Sequence, residues 1–583
     1  MERELTIKLF LMRRLRSLRS RIHFRPPSWA VNFYTATTIA ERVSIVVLLL
    51  LLIVSGSMSI TNLIMQKTLL VPQSGGIYTE ATVGQPRYLN PIVSSASDLD
   101  MDITKLVYSG LFRFNSDLEL TNDLAISREL SEDEKIYTIA LRDDVFWHDG
   151  ERFDADDVLF TFRSIQTPDY TSPLATSFQG VEVSKVDDFT VTFKLKQPYA
   201  PFLTSLTVGI VPEHVWSQIA PQNATLTEQI LKPVGTGPFK FHEITTRRKT
   251  GDITSYSLVK NTNYYQEPPY LDQITFTFYT THSEALQAMQ SGKADGIGFL
   301  PLEDIKTITQ NRSTKINQLL LPQYFAIFFN TQKNKALGEA GVRAALSIAT
   351  DRQQIVEQAL SSQGQPLHLP IPPSILSFDG DTDSPLPNVE AAQQNLSESG
   401  WELGEGGFRY KDDEKLSIKL TTTDWPEYIK TAELLKEQWS QLGVEVTLEH
   451  LGAGTVQQIA VQPRDYEALL FGEILPPDPD PYAFWHSTQT RSPGLNLAMF
   501  KNKDVDKILE DARKTSDKNK RVELYRDFQN KILELTPAII LYQPYYLFVT
   551  HGVYGADSNQ AALPSGRFNN IEQWHINTKR VWK

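Results

Sequence analysis

The sequence contains no cysteine among its 583 residues. This absence excludes disulfides, thiolate metal ligands and cysteine nucleophiles. It also excludes a lipid anchor that is carried on an N-terminal cysteine, so any attachment to a membrane must come from the polypeptide itself. The chain has only 10 histidines, and none of them are paired at metal-ligand spacing, which disfavours direct coordination of a transition metal. We therefore expect no cofactor.

Catalytic signatures are also missing from the sequence. No H-E-x-x-H, G-x-S-x-G or Ser-x-x-Lys context stands out. The glycines at 235 and 237 predict a turn, because the Gly-Lys-Ser/Thr ending of a phosphate loop is absent. His148-Asp149 falls on a predicted hairpin, where we expect a structural role. We predict that the protein is not an enzyme, with a peptidase or glycosidase that uses two of the 69 acidic residues as the open alternative.

Charge is distributed unevenly along the chain. The net charge is −12, but residues 1–42 carry nine basic and three acidic side chains, which leaves −18 on the rest. An acidic body repels phosphates, so we expect no nucleic acid partner. Residues 1–42 are predicted to be a basic cytoplasmic segment, either a tail that fixes topology or an amphipathic helix on the inner leaflet.

A single long apolar run follows the basic segment. Val43–Met65 contains no charged residue and is long enough to cross about 30 Å of hydrocarbon. Because positive residues stay in the cytoplasm, the N-terminus is predicted to be inside and the chain beyond the run outside. We predict a retained transmembrane signal anchor in the cell membrane over 43–65, followed by a linker over 66–74. A cleaved signal peptide is the alternative.

The rest of the chain mixes short strands with amphipathic helices, which is typical of an α/β fold. Asp154 is positioned to cap a helix over Ala155–Ser164, and Asp149-Gly150 predicts a type I′ hairpin turn. Further helices and one buried strand follow from apolar spacing and terminal glycines. They are Glu284–Ser291, Arg343–Ala349, Ala391–Ser399, Lys430–Leu442, Val522–Leu535 and the strand Ala538–Tyr542.

A series of short motifs runs through this region in a fixed order. They are Gly75-Gly76, Leu89-Asn90-Pro91, Tyr108-Ser109-Gly110-Leu111, residues 141–150 and 154–158, Gly235-Thr236-Gly237-Pro238-Phe239, Ser291-Gly292-Lys293-Ala294-Asp295, Val342-Arg343-Ala344-Ala345-Leu346, Gly400-Trp401, Asp478-Pro479-Asp480-Pro481 and Pro537-Ala538-Ile539. In this order, over about residues 75–545, the chain resembles the family 5 extracellular solute-binding proteins. These are the dipeptide-, oligopeptide- and nickel-binding components of ABC importers.

The resemblance implies a two-lobed α/β fold of the type II periplasmic-binding class with an inserted domain. The lobes close around the solute as a hinged clamp. The implied limits are 75–112, 230–325 and 544–583 for the first lobe, 113–229 for the inserted domain and 326–543 for the second lobe. The chain is then expected to cross between the lobes near 321–325 and 541–544.

The resemblance also implies where the ligand binds. Relatives hold a ligand ammonium with an Asp four residues before the Pro of the Asp-Pro motif, and here that position is Leu475. We therefore predict Glu473, in the loop 472–477, as a substitute carboxylate, and leave open whether a free amine is recognised. Trp425 and Trp485 are predicted as aromatic cleft walls, with a core position as the alternative for either. The predicted ligand-binding set is completed by Asp478, Tyr324 and Tyr88, and a loop-structuring role is favoured over a metal site for Asp478-Pro479-Asp480.

The implied function is capture of peptides outside the membrane and delivery to the permease subunits of an ABC importer. Two alternatives remain within the same fold. One is a binding protein for nickel, a metal chelate or another small solute, and the other is a sensor that keeps the clamp without transport.

Overall fold

The computed structural model describes residues 36–94, 97–310, 312–376 and 383–583. Most of the predicted basic segment, residues 1–35, lies outside these ranges. The chain divides into two compact units. The smaller unit contains the described residues up to Val71 together with Thr578–Lys583, and the larger unit is Pro72–Asn577.

The smaller unit is dominated by the helix Ile39–Lys67. It begins with a capping box, in which Thr38 N donates to Glu41 Oε2 (2.7 Å) and Glu41 N donates to Thr38 Oγ1 (3.3 Å). The helix has 29 residues, its most apolar window has a mean hydropathy of 2.6, and none of that window is buried. By length and composition it can cross a membrane. The strand that follows, Thr68–Gln73, pairs with Asn577–Trp582.

The larger unit contains the helices that the apolar spacing predicted, with small shifts at their ends. The predicted helix at 430 begins earlier, at Pro426, because proline is well tolerated in the first helical turn. The longer helices are Asp98–Val107, Ala155–Gln166, His282–Gln290, Ala340–Ala349, Arg352–Ala359, Val389–Glu398, Pro426–Ser440, Lys503–Lys514 and Lys518–Leu535.

One sheet of 12 strands runs through the larger unit. Its first half, which we call the first lobe, contains Gly296–Ile297, Ile77–Val83, Gln273–Tyr279, Ile253–Lys260, Phe239–Thr246 and Thr314–Leu320. Its second half, the second lobe, contains Glu445–Leu451, Ser417–Thr423, Ala468–Ile474, Gln323–Phe329 and Gly364–Pro366. A separate antiparallel sheet of four strands is inserted in sequence between two first-lobe strands, Ile77–Val83 and Phe239–Thr246. Its strand order is Ala125–Leu130, Ile136–Leu141, Thr190–Lys194 and Glu182–Asp187.

The two halves of the large sheet are joined by the strand Ala538–His551, which we call the hinge strand. Its beginning pairs with Gln323–Phe329 in the second lobe, and from Tyr545 it pairs with Thr314–Leu320 in the first lobe. The change of partner occurs at Gln543-Pro544, beside the connection between the two partner strands. Few residues join the lobes, which is the arrangement that permits hinge closure.

Gln543 ties these crossing segments together. Its side chain is completely buried, and its Nε2 donates to the carbonyl oxygen of Leu321 (2.6 Å) and to Ser374 Oγ (3.1 Å). Ser374 also lines the cleft described below. The hinge is therefore bonded directly to the wall of the cleft.

The hairpin at Asp149-Gly150 is present, but its turn is not type I′. Only the glycine has a positive φ (99°), and its N–H donates to Trp147 O (2.9 Å), as in a type I turn followed by a left-handed glycine. His148 accepts from Gly235 N (3.2 Å) at Nδ1 and donates from Nε2 to Gly237 O (3.0 Å). Burial lowers the pKa of His148 to about 4, so the ring is neutral at pH 7. These bonds agree with the structural role predicted for this histidine.

Candidate functional site

Two adjoining cavities form a cleft in the larger unit. The larger has a volume of about 890 Å³ and the smaller about 510 Å³. Both are lined by Phe114, Thr204 and Pro477, so the two volumes meet at these residues. Their sizes fall in the range of ligand sites in proteins, roughly 300–1,000 Å³. This cleft is the candidate functional site.

The larger cavity lies between the segment 114–137 and the second lobe. Asp478 lines it and receives two hydrogen bonds from Arg521 Nη2 (2.8 and 3.0 Å). Burial raises the pKa of Asp478, and the nearby Arg521 guanidinium counteracts this rise. Tyr525 donates to Pro479 O (2.6 Å), which fixes the same loop from the helix Lys518–Leu535.

A second ion pair fixes the other aspartate of the Asp-Pro-Asp loop. Arg513 donates from Nε to Asp480 Oδ2 (2.9 Å), and the Tyr199 hydroxyl donates to the same oxygen (3.2 Å). Ala200 N also donates to Arg513 O (2.8 Å). The loop-structuring role predicted for this motif agrees with these contacts, which also join the second lobe to the segment around residue 200.

The smaller cavity has a different electrostatic character. On one side, the helix Asp98–Val107 presents Met101 and Lys105, one turn apart, while Leu99 and Ile103 are buried. On the other side, residues 474–477 of the second lobe supply uncharged side chains. The charged side chains in this lining are Lys105, Arg113 and Asp123.

Glu473 lies away from both cavities. The strand Ala468–Ile474 continues through the first part of the predicted loop, and strand alternation places Glu473 on the same face as Leu469, towards the interior of the second lobe. Its side chain is 5% exposed, and its Oε2 accepts a hydrogen bond from the Tyr324 hydroxyl. Burial raises the pKa of Glu473 to about 8. Its contact with a ligand amine therefore stays a prediction.

The four aromatic residues of the predicted set, like Glu473, lie outside the cavity linings. Trp485 is 1% exposed and packs against Phe528, so the structure favours the core alternative for this residue. Tyr324 is fully buried beside Glu473. Trp425 is 55% exposed at the start of the helix Pro426–Ser440, and Tyr88 is 39% exposed. Asp478 is the member of the predicted set that lines the cleft.

Several cleft residues were missed by sequence reasoning. Lys105 lies three residues before the 108–111 motif, and it interrupts an apolar helical pattern at a position that faces away from the core. This interruption could have identified Lys105 as a candidate cleft residue from the sequence. Asp123 and Arg521 had no comparable signal, because only the packing of distant segments brings them to the cleft.

Comparison with known proteins identifies the family. The profile of the bacterial extracellular solute-binding proteins, family 5 (middle region), matches residues 119–494, which is more than half of the chain. The chain belongs to this family. The predicted two-lobed α/β fold of the type II periplasmic-binding class is thereby confirmed.

Three relatives illustrate the similarity. The oligopeptide-binding protein AppA of Bacillus subtilis (strain 168) is 30% identical over 535 residues, covering 90% of this chain and 93% of AppA. Its structure in complex with a nonapeptide has a TM-score of 0.66 at 29% identity, covering 87% of this chain and 100% of that one. The ABC transporter substrate-binding protein CtaP of Listeria monocytogenes has a TM-score of 0.75 at 25% identity, with 87% and 100% covered. NikZ of Campylobacter jejuni in complex with Ni(L-His) has a TM-score of 0.69 at 25% identity, with 86% and 99% covered.

Proposed function

We propose that this family 5 protein captures peptides in its cleft, outside the cytoplasmic membrane, and delivers them to the permease of an ABC importer. The observation that carries the proposal is the cleft of two joined cavities, lined from both lobes and bordered by the hinge strand. The relative AppA, which covers nearly the whole chain, is an oligopeptide-binding protein. Peptide is accordingly the ligand class that the cleft's size and the relatives favour.

Closure of the lobes is the expected mechanism of capture. Tyr199 and Ala200 contact Asp480 and Arg513 across the cleft, and Ser516 Oγ donates to Glu134 Oε1 (2.6 Å) at the same border. These contacts must break when the lobes separate and must re-form when they close. A ligand that touches both walls favours the closed state by its differential affinity for that state.

A capture experiment tests the proposal. The full-length chain, solubilised in detergent, is incubated with a library of random nonapeptides, washed and denatured, and the released peptides are identified by mass spectrometry. We expect intact peptides to be enriched. Recovery of cleaved peptides would favour the enzyme alternative, and recovery of no peptide would contradict the proposal.

A substitution inside the cleft tests the same proposal, and a substitution outside the cleft serves as its matched control. Thr204 lines both cavities, so Thr204→Trp should fill the space where they meet. A bound peptide would then be overpacked against the indole ring, and overpacking costs about 1–3 kcal/mol in a well-packed site. If the binding free energy is reduced by this amount, peptide recovery should fall by about 5- to 150-fold. Thr245→Trp, at an exposed position of the strand Phe239–Thr246, should leave recovery unchanged.

A nickel chelate is the second candidate ligand, because the relative NikZ was solved with Ni(L-His). Within the described residues, the linings of both cavities contain no histidine, and no group of three metal-ligating side chains is present. A chelate would therefore have to bring its own ligands. Adding Ni(L-His) to the capture experiment as a competitor separates the two candidates, since a chelate site would release the bound peptides.

We also propose that the helix Ile39–Lys67 is retained as a single-pass anchor with the N-terminus in the cytoplasm. The uncharged run Val43–Met65 within this helix and the basic residues before it support this orientation. We expect N-terminal sequencing of the protein from native membranes to find the helix still attached. A mature N-terminus near residue 70 would contradict an anchor.

A further inference from the structure

Lys105 is a cation on the wall of the smaller cavity that has no bonded counter-ion. It lies near the end of the helix Asp98–Val107, and its side chain is partly buried. Among the residues that the structure describes, no hydrogen bond or ion pair is made by its ammonium group. Burial lowers the pKa of Lys105, and the charge of Asp123 partly offsets this effect. A cation in such surroundings is stabilised if an anion approaches it.

The two other charged groups of this cavity already have partners. Asp123 Oδ1 accepts hydrogen bonds from the Tyr265 hydroxyl (2.6 Å) and from Gln266 Nε2 (2.8 Å). Arg113 forms an ion pair with Glu572 (3.4 Å). Lys105 therefore supplies the positive charge that the protein leaves available in this lining.

The opposite wall offers no anion to Lys105. Residues 474–477 are Ile, Leu, Pro and Pro, and Ile474 is 61% exposed. The remaining lining is mostly apolar, with Met101, Phe112 and Leu563 among its members. In such surroundings a charge-assisted bond is stronger than it would be in water, because competing solvent is reduced. A carboxylate on the ligand can therefore supply the bonded anion that Lys105 lacks among the described residues.

We propose that the smaller cavity is a carboxylate subsite, in which Lys105 binds an anionic group of the captured peptide. This inference rests on the proposed function, and it names the substrate class as peptides that present a carboxylate to this end of the cleft. The carboxylate has two sources, the peptide C-terminus and an Asp or Glu side chain.

Four nonapeptide libraries distinguish the sources. They are made with free or amidated C-termini, and each is made with or without Asp and Glu. The full-length wild-type chain should enrich free-acid peptides over amides if the subsite takes the C-terminus. It should instead enrich acidic sequences in both forms if the subsite takes a side chain. Loss of one charge-assisted hydrogen bond predicts that Lys105→Met weakens binding of the preferred class by about 10- to 150-fold.

Two further variants serve as controls. Lys105→Arg keeps the charge and should retain binding within about tenfold of the wild type. Lys507→Met removes an exposed lysine of the helix Lys503–Lys514 and should change nothing. Urea unfolding of each variant shows whether Lys105→Met is folded.

Each outcome decides a different claim. If the wild type enriches no peptide from any library, the proposed function fails and the subsite fails with it. If peptides bind without preference for either carboxylate, the subsite is contradicted while the proposed function stands. If Lys105→Met loses neutral amidated peptides as strongly as carboxylate peptides, Lys105 only balances the charge of Asp123, and the subsite is again contradicted.

Discussion

Replacing Arg567 by methionine is expected to lower the free energy of unfolding by about 3–5 kcal/mol, because it leaves buried carboxylates without a counter-charge. Arg567 is completely buried and donates to Asp102 Oδ2 (2.7 Å) and Glu80 Oε1 (2.6 Å). The Tyr78 hydroxyl donates to the other oxygen of Glu80 (2.9 Å). Asp102 lies on the same helix as Lys105, so this cluster also supports one wall of the cleft.

Equilibrium urea unfolding of the purified chain measures this effect. A triple variant with Arg567→Met, Glu80→Gln and Asp102→Asn removes the charges together and should recover part of the lost stability. The exposed Arg491→Met is the matched control and should unfold like the wild type. A loss below about 1 kcal/mol for Arg567→Met would place this cluster among the weak ion pairs and contradict our interpretation.

Glu473→Gln is expected to stabilise the protein at alkaline pH. Burial raises the pKa of Glu473 from 4.5 to about 8, so the folded state holds a proton that the unfolded state releases. The stability that this proton provides is fully present below about pH 4.5 and is lost as the pH rises towards 8. Within this window the free energy of unfolding falls by about 1.4 kcal/mol for each pH unit. Glutamine carries no such charge and avoids the loss.

Unfolding curves at pH 5, 7 and 9 test the prediction for Glu473. We expect the wild type to lose stability relative to Glu473→Gln across this series, with the largest difference at pH 9. Because Glu473 lines neither cavity, its replacement should leave peptide affinity unchanged. If the free energies of unfolding of the wild type and Glu473→Gln changed in parallel with pH, Glu473 would already be ionised in the folded state, and the prediction would be wrong. A selective loss of affinity for peptides with a free amine would instead restore its predicted role in ligand binding.

Much of the local structure could be predicted from the sequence. The cap at Asp154 and the helix after it follow from short-range spacing, and both are present. The change of partner strand at Gln543-Pro544 falls within the range expected from the family resemblance. Such features depend on neighbours along the chain, or on a motif order that the family shares.

The orientation of individual site residues was much harder to predict. The family resemblance predicts Glu473 in the loop 472–477, yet the strand extends to Ile474. Strand alternation then decides which face the Glu473 side chain occupies. Trp485 is equally compatible with a wall or a core from its sequence alone. Lys105 and Asp123 line the same cavity only because the helix Asp98–Val107 packs beside a distant segment, and no local pattern encodes that arrangement.

The most direct test of the central claim is a distance measurement across the cleft. Because the chain contains no cysteine, Glu243→Cys in the first lobe and Lys436→Cys in the second lobe can be nitroxide-labelled without background. Pulsed electron resonance then gives the distance distribution before and after addition of a peptide selected in the capture experiment. Our account predicts a shift to shorter distances with peptide, as expected for hinge closure. An unchanged distribution in a sample that calorimetry shows to be saturated with peptide would contradict it.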